Sequence, residues 1–169
     1  AEAHVFQDRH ALGQRQRPRE GPHFQTDRAL LFFQTIVEID AEGAIWRTSL
    51  QNSGPVTARI RRTAPTTVSC QAWGDGAEEF IDGLPALLGV GDDTSDFTPH
   101  HPVIEAAHKR VPHLRLGRTG RVLEALVPAV LEQRVPGADS FRAWRLLVTR
   151  FGAPAPGPAP ARMRVPPSA

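Results

Sequence analysis

Arginine is the residue type in this chain best suited to bind a polyanion, and it is unevenly distributed. Residues 101–169 contain ten arginines and one lysine against four acidic residues, a net charge of +7. Residues 1–100 contain nine arginines against 14 acidic residues, a net charge of −5. Because guanidinium groups match phosphate oxygens and phosphate neutralisation releases counterions, the basic part indicates a nucleic-acid partner. The preference for arginine (19, against one lysine) equally fits genomic base composition.

The candidate phosphate ligands are seven arginines in the basic part: Arg115, Arg118, Arg121, Arg134, Arg142, Arg145 and Arg150. Arg142 and Arg145 lie three residues apart, so on a helix they share one face, away from Phe141. The alternative is that these arginines are ordinary solvent-exposed residues on the outer faces of helices and bind no phosphate.

Other residue types that could do chemistry are present but poorly arranged for it. Four histidines invite a zinc site: His100, His101, His108 and His113. Neither a cysteine nor a carboxylate completes a ligand set at their spacing, so we expect solvated histidines and no metal. The acidic pairs Glu78-Glu79 and Asp92-Asp93 fit a helix N-terminus and a flexible linker better than acid–base catalysis. Cys70 alternates with apolar residues, which predicts an inert core thiol.

The elements that position these side chains change type along the chain. Four strands with short connections are predicted, over 29–39, 44–50, 56–62 and 67–73. A helix from Gly76, broken or kinked by Pro85, should cover the apolar side of this antiparallel sheet. Three further helices are predicted, over 101–109, 120–134 and the residues that follow Pro136 up to Phe151. The fold class is therefore α+β, a small antiparallel sheet domain covered by a helix and followed by helices.

Composition divides the chain into five predicted segments. These are a poorly ordered leader or artefact over 1–25, an α+β domain over 26–89, an acidic linker over 90–100, a helical domain over 101–152 and a Pro-rich linker over 153–169. A single cysteine excludes an internal disulfide and fits a reducing cytoplasm. No apolar run approaches the roughly 20 residues that a membrane span needs, so no membrane association is expected.

Several short motifs occur in an order that resembles a known family. They are Gly43–Arg47, Gly54–Thr57, Ala72–Ala77, Leu84–Gly89, His100–Pro102, Leu114–Arg121 and Leu131–Val135. In this order and spacing the chain resembles the N-terminal portion of the DNA-3-methyladenine glycosylase II type, within the helix-hairpin-helix DNA glycosylase superfamily. The helices over 101–152 would then be the first helices of an all-α glycosylase core.

The resemblance implies a base-excision-repair enzyme that hydrolyses the N-glycosidic bond of alkylated purines in double-stranded DNA. The family mechanism needs no metal or other cofactor. Its catalytic aspartate and its phosphate-binding hairpin would lie beyond residue 169, so no catalytic residue is assigned in this chain and the chain alone should be inactive. We also expect a monomer in the cytoplasm, associated with the nucleoid.

The corner between the last two helices is where the resemblance places DNA contacts. Gln133 would lie at the DNA or base-pocket side and Arg134 would occupy the position that wedges into the duplex. The family often has leucine at that position and a small hydroxyl residue where Pro136 stands, so both positions depart from the pattern. Further DNA contacts are expected from Arg118, Arg121, Arg142 and Arg145.

Two other functions remain open on the residues alone. The chain could be a small basic module that binds DNA or a protein through residues 115–150 without catalysing a reaction. It could also be a truncated protein without a function of its own. If helical partners are missing, the helices over 117–152 should expose apolar surface.

Overall fold

The computed structural model describes residues 2–7, 36–64, 67–112 and 114–167. Contacts divide the chain into two compact units. The sheet unit comprises residues 1–82 and 121–169, and the middle unit comprises residues 83–120. The fold is α+β, which confirms the predicted class.

The sheet unit is built on a five-stranded antiparallel sheet. Its strands are β1 (Glu2–Gln7), β2 (Val37–Ile39), β3 (Ile45–Leu50), β4 (Pro55–Ala64) and β5 (Thr67–Trp73), in the order β1-β5-β4-β3-β2. Each strand pairs antiparallel with its neighbour. The predicted strands over 44–50, 56–62 and 67–73 are confirmed, and the 29–35 part of the first lies outside the described residues.

The turn between β2 and β3 is held by Asp40. Its Oδ1 accepts hydrogen bonds from the backbone N–H groups of Glu42 at 3.0 Å and Ala44 at 2.9 Å. Gly43 adopts a φ of 77° there, which a residue without Cβ tolerates. The hairpin turn predicted at 40–43 is therefore present, and its side-chain-to-backbone bonds are the physical reason for an aspartate at its start.

The two faces of the sheet differ in polarity. One face buries alternate residues of the two central strands: Val56, Ala58, Ile60, Cys70 and Ala72. Cys70 is fully buried, which confirms its predicted place in the core, and burial raises the pKa of its thiol to about 11. The other face carries Trp46 stacked on Trp73, with ring centroids 5.5 Å apart, and the guanidinium of Arg59 over Trp46.

Strand β1 corrects part of the prediction that residues 1–25 are a poorly ordered leader. Its six residues pair with β5 from Glu2 opposite Ala72 to Gln7 opposite Thr67. A strand can pair with a free sheet edge through backbone hydrogen bonds alone. The side-chain pattern of these residues therefore did not predict a strand. Residues 8–25 lie outside the described part of the chain.

Helix α1 (Ala77–Leu87) crosses the division between the two units, which falls after Asp82. It is a single helix with Pro85 inside it. In the sheet unit its N-terminal turn is tied to the β3–β4 turn, because Glu79 Oε2 accepts from the backbone N–H of Ser53 at 2.9 Å and from its Oγ at 2.7 Å.

The middle unit contains helix α2 (Pro102–Arg110), close to the predicted bounds. The Nδ1 atom of His101 accepts from the backbone N–H of Val103 at 3.2 Å and caps this helix. Residues 90–100, predicted to be a linker between domains, belong to this unit. Asp92 Oδ2 accepts a hydrogen bond from the backbone N–H of Leu116 at 2.8 Å. Amino-acid composition cannot predict a bond between residues so far apart in the chain.

Helices α3 (Val122–Leu131) and α4 (Gly137–Phe151) belong to the sheet unit and not to a separate domain. Ile36, Trp144 and Val148 form a buried cluster, with Val127 and Leu147 packed against it. The boundary predicted after residue 89 thus does not coincide with the observed units. The reason is that these helices share a core with the residue that precedes β2.

Residues 153–167 are packed into the sheet unit, which corrects the prediction of a Pro-rich linker. They contain two short paired strands, β6 (Ala153–Pro154) and β7 (Arg164–Val165). Met163 and Val165 are 3% and 1% exposed, and Thr48 Oγ1 of β3 donates to the Arg164 carbonyl at 2.7 Å. Prolines made the segment look like a spacer, whereas these two apolar residues anchor it. Within the described residues, no helix is both long and apolar enough to cross a membrane.

Candidate nucleic-acid interface

The corner between α3 and α4 projects polar side chains from two packed helices. Gln133, Arg134 and Pro136 are exposed, and Val135 is 47% exposed. The turn continues the winding of α3, since the backbone N–H of Gln133 donates to the Val130 carbonyl at 3.1 Å. This arrangement is a short, solvent-facing corner that continues directly from α3.

Arg134 has an unusual backbone conformation at this corner. Its φ is 63°, and among the described residues it is the only non-glycine with a positive φ. The left-handed region costs an L-residue roughly 1–2 kcal/mol. Such outliers persist where the surrounding structure imposes them, and they cluster at functional sites. The residue that the family resemblance puts at the wedge position is therefore the strained residue of the corner.

Helix α4 begins directly after the corner. Its N-cap residue, Pro136, has no side-chain acceptor, and its carbonyl accepts from the N–H groups of Asp139 at 3.0 Å and Ser140 at 3.2 Å. Ser140 is buried and its Oγ donates to the Gly137 carbonyl at 2.9 Å. The positive end of a 15-residue helix thus faces solvent beside Arg134, a position that favours anions.

Arg142 and Arg145 lie on the exposed side of α4. Both are exposed, whereas Trp144 and Val148 on the opposite side are buried in the core. The structure therefore confirms that the two arginines face away from the apolar side of the helix. Together with Arg134 they place three cationic groups on one corner and helix, although Asp139 adds a negative charge in the first turn.

Arg121 differs from these exposed arginines, because it is already bound to an acidic residue. Its Nη2 atom forms an ion pair with Glu79 Oε1, and its Nη1 donates to Asn52 Oδ1 at 2.9 Å. Hydrogen bonds from the backbone and side chain of Ser53, with a further bond from Arg121, lower the pKa of Glu79 to about 2. With its side chain 19% exposed, Arg121 joins the start of α3 to α1 and the β3–β4 turn.

Arg118 lies in the middle unit. Its side chain is exposed and its backbone N–H donates to the Ala86 carbonyl at 2.9 Å. The adjacent Gly117 is packed so closely that a Cβ would come within 2.2 Å of the Leu87 carbonyl oxygen. This close approach fixes the backbone that presents Arg118.

Glu124 anchors α3 to the sheet, a role that sequence reasoning missed. Its Oε1 accepts from Ser49 Oγ at 2.6 Å and from the Leu50 backbone N–H at 2.9 Å, and its Oε2 lies 3.4 Å from Arg47 Nη2. The carboxylate side chain is 8% exposed. Burial lowers the pKa of Arg47, and the Glu124 charge opposes that shift. The available signal was an isolated acid in an otherwise apolar helix.

The histidines and the acidic pairs have structural contacts in the described residues. His108 meets Phe97 edge-on at 5.4 Å, His101 caps α2, and Asp93 Oδ1 accepts from the Ser95 backbone N–H at 2.9 Å. Across the described part of the chain, no group of three or more histidine, cysteine or acidic side chains could hold a metal ion.

No family model matches this sequence, and no curated protein matches it either. Its fold is similar to solved structures of DNA glycosylases. The 3-methyladenine DNA-glycosylase from Archaeoglobus fulgidus aligns with a TM-score of 0.64 and 15% identity, over 82% of this chain and 49% of that chain. The structure of MBOgg1 in complex with a low-affinity DNA ligand aligns with a TM-score of 0.59 and 16% identity, over 79% and 44%. This chain shares that fold and spans about half the length of these structures.

Proposed function

We propose that this chain is the N-terminal portion of a DNA glycosylase that removes alkylated purines from double-stranded DNA. The observation that carries the proposal is the exposed α3–α4 corner with Arg134 held at a φ of 63°. The corner belongs to a fold that this chain shares with DNA glycosylases, one of them solved with a DNA ligand. The proposed cellular role is base-excision repair. We propose that the protein acts as a monomer in the cytoplasm, where it associates with the nucleoid.

An enzyme that acts on a base inside a duplex must rotate that base out of the stack. The gap left in the duplex is stabilised by a side chain inserted from the minor groove. Arg134 is proposed as that side chain and Gln133 as its neighbour on the DNA side. A residue whose backbone is already fixed by the corner loses little conformational freedom when it enters the duplex, which favours binding.

Phosphate contacts would position the duplex on this corner. Arg142 and Arg145 are the proposed ligands on α4. Arg118, in the middle unit, is proposed separately as an exposed phosphate contact of that unit. Arg121 was expected to join them, but its ion pair with Glu79 supports a positioning role at the start of α3. These contacts fix the protein on the backbone without reading sequence.

The chemical step is assigned to residues that follow this chain. The N-glycosidic bond breaks with its electrons leaving on the base, and water adds to the sugar carbon. A purine alkylated on ring nitrogen N3 or N7 already carries positive charge and therefore leaves as a neutral molecule, while the proton of the added water is released to solvent, so a metal or cofactor is not required. The resemblance assigns the stabilisation of positive charge on the sugar to an aspartate downstream, so this chain alone should release no base.

The test compares base release from alkylated duplex DNA by this chain and by the same chain extended through its natural downstream sequence. We expect release only by the extended protein, with unmodified duplex as the substrate control. An Arg134→Ala variant of the extended protein should release base more slowly, because the vacated stack is left unfilled. Absence of base release from both forms would contradict the glycosylase proposal.

A basic DNA-binding module without catalysis is the second candidate. It is favoured by the exposed arginines of α4, which need no downstream segment to meet phosphate. Salt-dependent duplex binding by this chain, combined with no base release by the extended protein, would select the module.

A further inference from the structure

Helix α2 of the middle unit buries none of its residues. Even its apolar side chains Val103 and Ile104 are 66% and 47% exposed. A helix shorter than about 12 residues is marginally stable in water when tertiary packing does not support it. The stability of α2 therefore depends strongly on the local interactions at its two ends.

His101 closes the N-terminal end of α2. Pro102, the first residue of the helix, has no N–H, so the first free backbone donor is that of Val103. This N–H donates to Nδ1 of His101 at 3.2 Å, and the His101 carbonyl accepts from the N–H of Glu105 at 2.9 Å. A ring nitrogen that accepts a hydrogen bond carries no proton, so the cap requires a neutral imidazole with its proton on Nε2.

Protonation of this imidazole removes the cap. An imidazolium has N–H groups at both ring nitrogens and cannot accept a hydrogen bond from Val103. It also adds a positive charge at the helix end where the aligned peptide dipoles already produce a positive potential. Histidine is the side-chain type that changes its charge near neutral pH, whereas the usual N-cap residues do not titrate there.

We propose that His101 is a proton-sensitive switch of the middle unit, which keeps α2 helical when neutral and lets it unwind when protonated. Because only the neutral form caps the helix, proton uptake favours the unwound segment. The helix is therefore formed at about pH 8 and lost as the pH falls towards about 5.5. This inference goes beyond the proposed function and does not depend on it.

The other charged groups of α2 act in both directions. His100 is exposed and precedes the cap, so its protonation adds charge of the same sign at the same end. Glu105 in the first turn forms an ion pair with Lys109. His108 opposes the switch, because a positive charge in the last turn, beside Lys109 and Arg110, is favoured by the helix dipole. A capping hydrogen bond outweighs one such charge at an exposed helix end, so acid should unwind α2.

The segment that contacts α2 does not titrate in the same range. Phe97 meets the ring of His108 edge-on, with centroids 5.4 Å apart. The remaining charged residues of the middle unit that the structure describes are Asp92, Asp93, Asp96, Arg115 and Arg118. Aspartate and arginine side chains keep their charge above about pH 5, so they contribute a constant potential while histidines titrate.

The experiment follows the Cα chemical shifts of Pro102–Arg110 by NMR, in the whole chain, between about pH 8 and about pH 5.5. In the parent chain the helix-to-coil ratio of α2 should fall roughly threefold or more, the effect of losing an N-cap. His101→Asn retains a capping side chain that does not titrate, so this fall should disappear. His100→Asn is the matched control and should retain the fall. His108→Gln removes the opposing charge and should enlarge it.

Two results would overturn the proposal. One is a parent chain in which the α2 shifts are independent of pH. The other is an equal fall in His101→Asn and in the parent, because the response would then come from another group. The shifts of β3 to β5, recorded in the same spectra, should stay constant, and a simultaneous change there would replace local unwinding by global unfolding and overturn the proposal as well. Should His101→Asn disturb the sheet, His101→Ser replaces it, since serine is an equally good N-cap.

Discussion

At Arg134 the backbone and the side chain have opposite effects on stability and proposed function. The left-handed φ of 63° favours glycine, which has no Cβ to clash with the following carbonyl. The exposed guanidinium, in contrast, is the group that the proposed DNA contact needs. The backbone strain at this position therefore supports the hypothesis that the Arg134 side chain has a role at the corner.

Arg134→Gly should separate these two effects. Relief of the left-handed strain is expected to stabilise the protein by about 1 kcal/mol, whereas Arg134→Ala should not. Both variants should weaken duplex binding similarly, because both lose the guanidinium. Urea unfolding and fluorescence anisotropy with duplex DNA measure the two quantities. If Arg134→Gly bound DNA as well as the parent chain, the corner would have no role for this side chain.

The exposed arginines should each contribute one phosphate contact at most. For each contact removed, the slope of log affinity against log salt should decrease by about 0.9. Arg142→Gln and Arg145→Gln are therefore expected to reduce the slope for duplex binding. Arg61→Gln, on the exposed part of β4, is the matched control and should leave it unchanged. An equal effect of all three substitutions would indicate binding by net charge alone.

At the scale of the element, α3 is held at the sheet by a buried polar network and at α4 by apolar packing. Glu124 satisfies Ser49, the Leu50 N–H and Arg47 of β3, while Val127 and Leu131 pack on the Ile36 cluster. The polar network determines which side of this nearly uniform helix faces the sheet. Its orientation in turn determines where the α3–α4 corner points.

Removal of the Glu124 carboxylate should be costly. Glu124→Ala leaves the largely buried Arg47 without its counter-charge, and we expect a loss of about 3 kcal/mol in the free energy of unfolding. The double variant Arg47→Met/Glu124→Leu should recover part of that loss, because no buried charge remains, while Ser49 Oγ and the Leu50 N–H still lose their acceptor. Urea denaturation of the single and double variants measures this coupling. A loss below about 1 kcal/mol in Glu124→Ala, the range of an exposed pair, would show that the network is not an anchor.

At the scale of the whole molecule, two carboxylates connect distant segments and make stability dependent on acid. The pKa of Glu79 is lowered from 4.5 to about 2 by Ser53 and Arg121. For Asp40, burial raises the pKa, but hydrogen bonds from Ala44, Arg59, Trp46 and Glu42 outweigh it and lower the pKa from 3.8 to about 2. Both groups bind protons more weakly in the folded state than in the unfolded state.

Their contribution to stability is therefore complete above about pH 5 and is lost as the pH falls towards 2. Glu79→Gln should lower the urea midpoint at pH 7 and differ much less from the parent chain at pH 3. Asp40→Asn should behave in the same way through the β2–β3 turn. A constant difference between parent and variant at both pH values would contradict the assigned pKa shifts.

The exposed apolar surface is also a property of the whole molecule and can be measured directly. Binding of a hydrophobic fluorescent dye should exceed that of a compact control protein of similar size, because the apolar side chains of Val122, Leu126 and Val130 on α3 are half exposed or more. Replacing Leu126 and Val130 by serine should reduce the dye signal with little loss of stability, since both side chains are half exposed. Dye binding at the level of the control protein would contradict an accessible apolar face.

Local patterns in the sequence were enough to predict the α+β class, most element positions and the exposure of Arg142 and Arg145. Alternation and turn residues act between near neighbours, so they can be identified without a partner. Residue identity also predicted the hairpin turn at Asp40 and the buried position of Cys70.

Long-range pairing was decided by the tertiary structure alone. It pairs Arg121, for which a DNA contact is predicted, with Glu79, and it makes Glu124 the anchor of α3. It also brings 153–167 onto the sheet and joins α3 and α4 to it in one unit. The physical reason is that a hydrogen bond or a buried contact between residues far apart in the chain depends on where both ends lie, which no local pattern encodes.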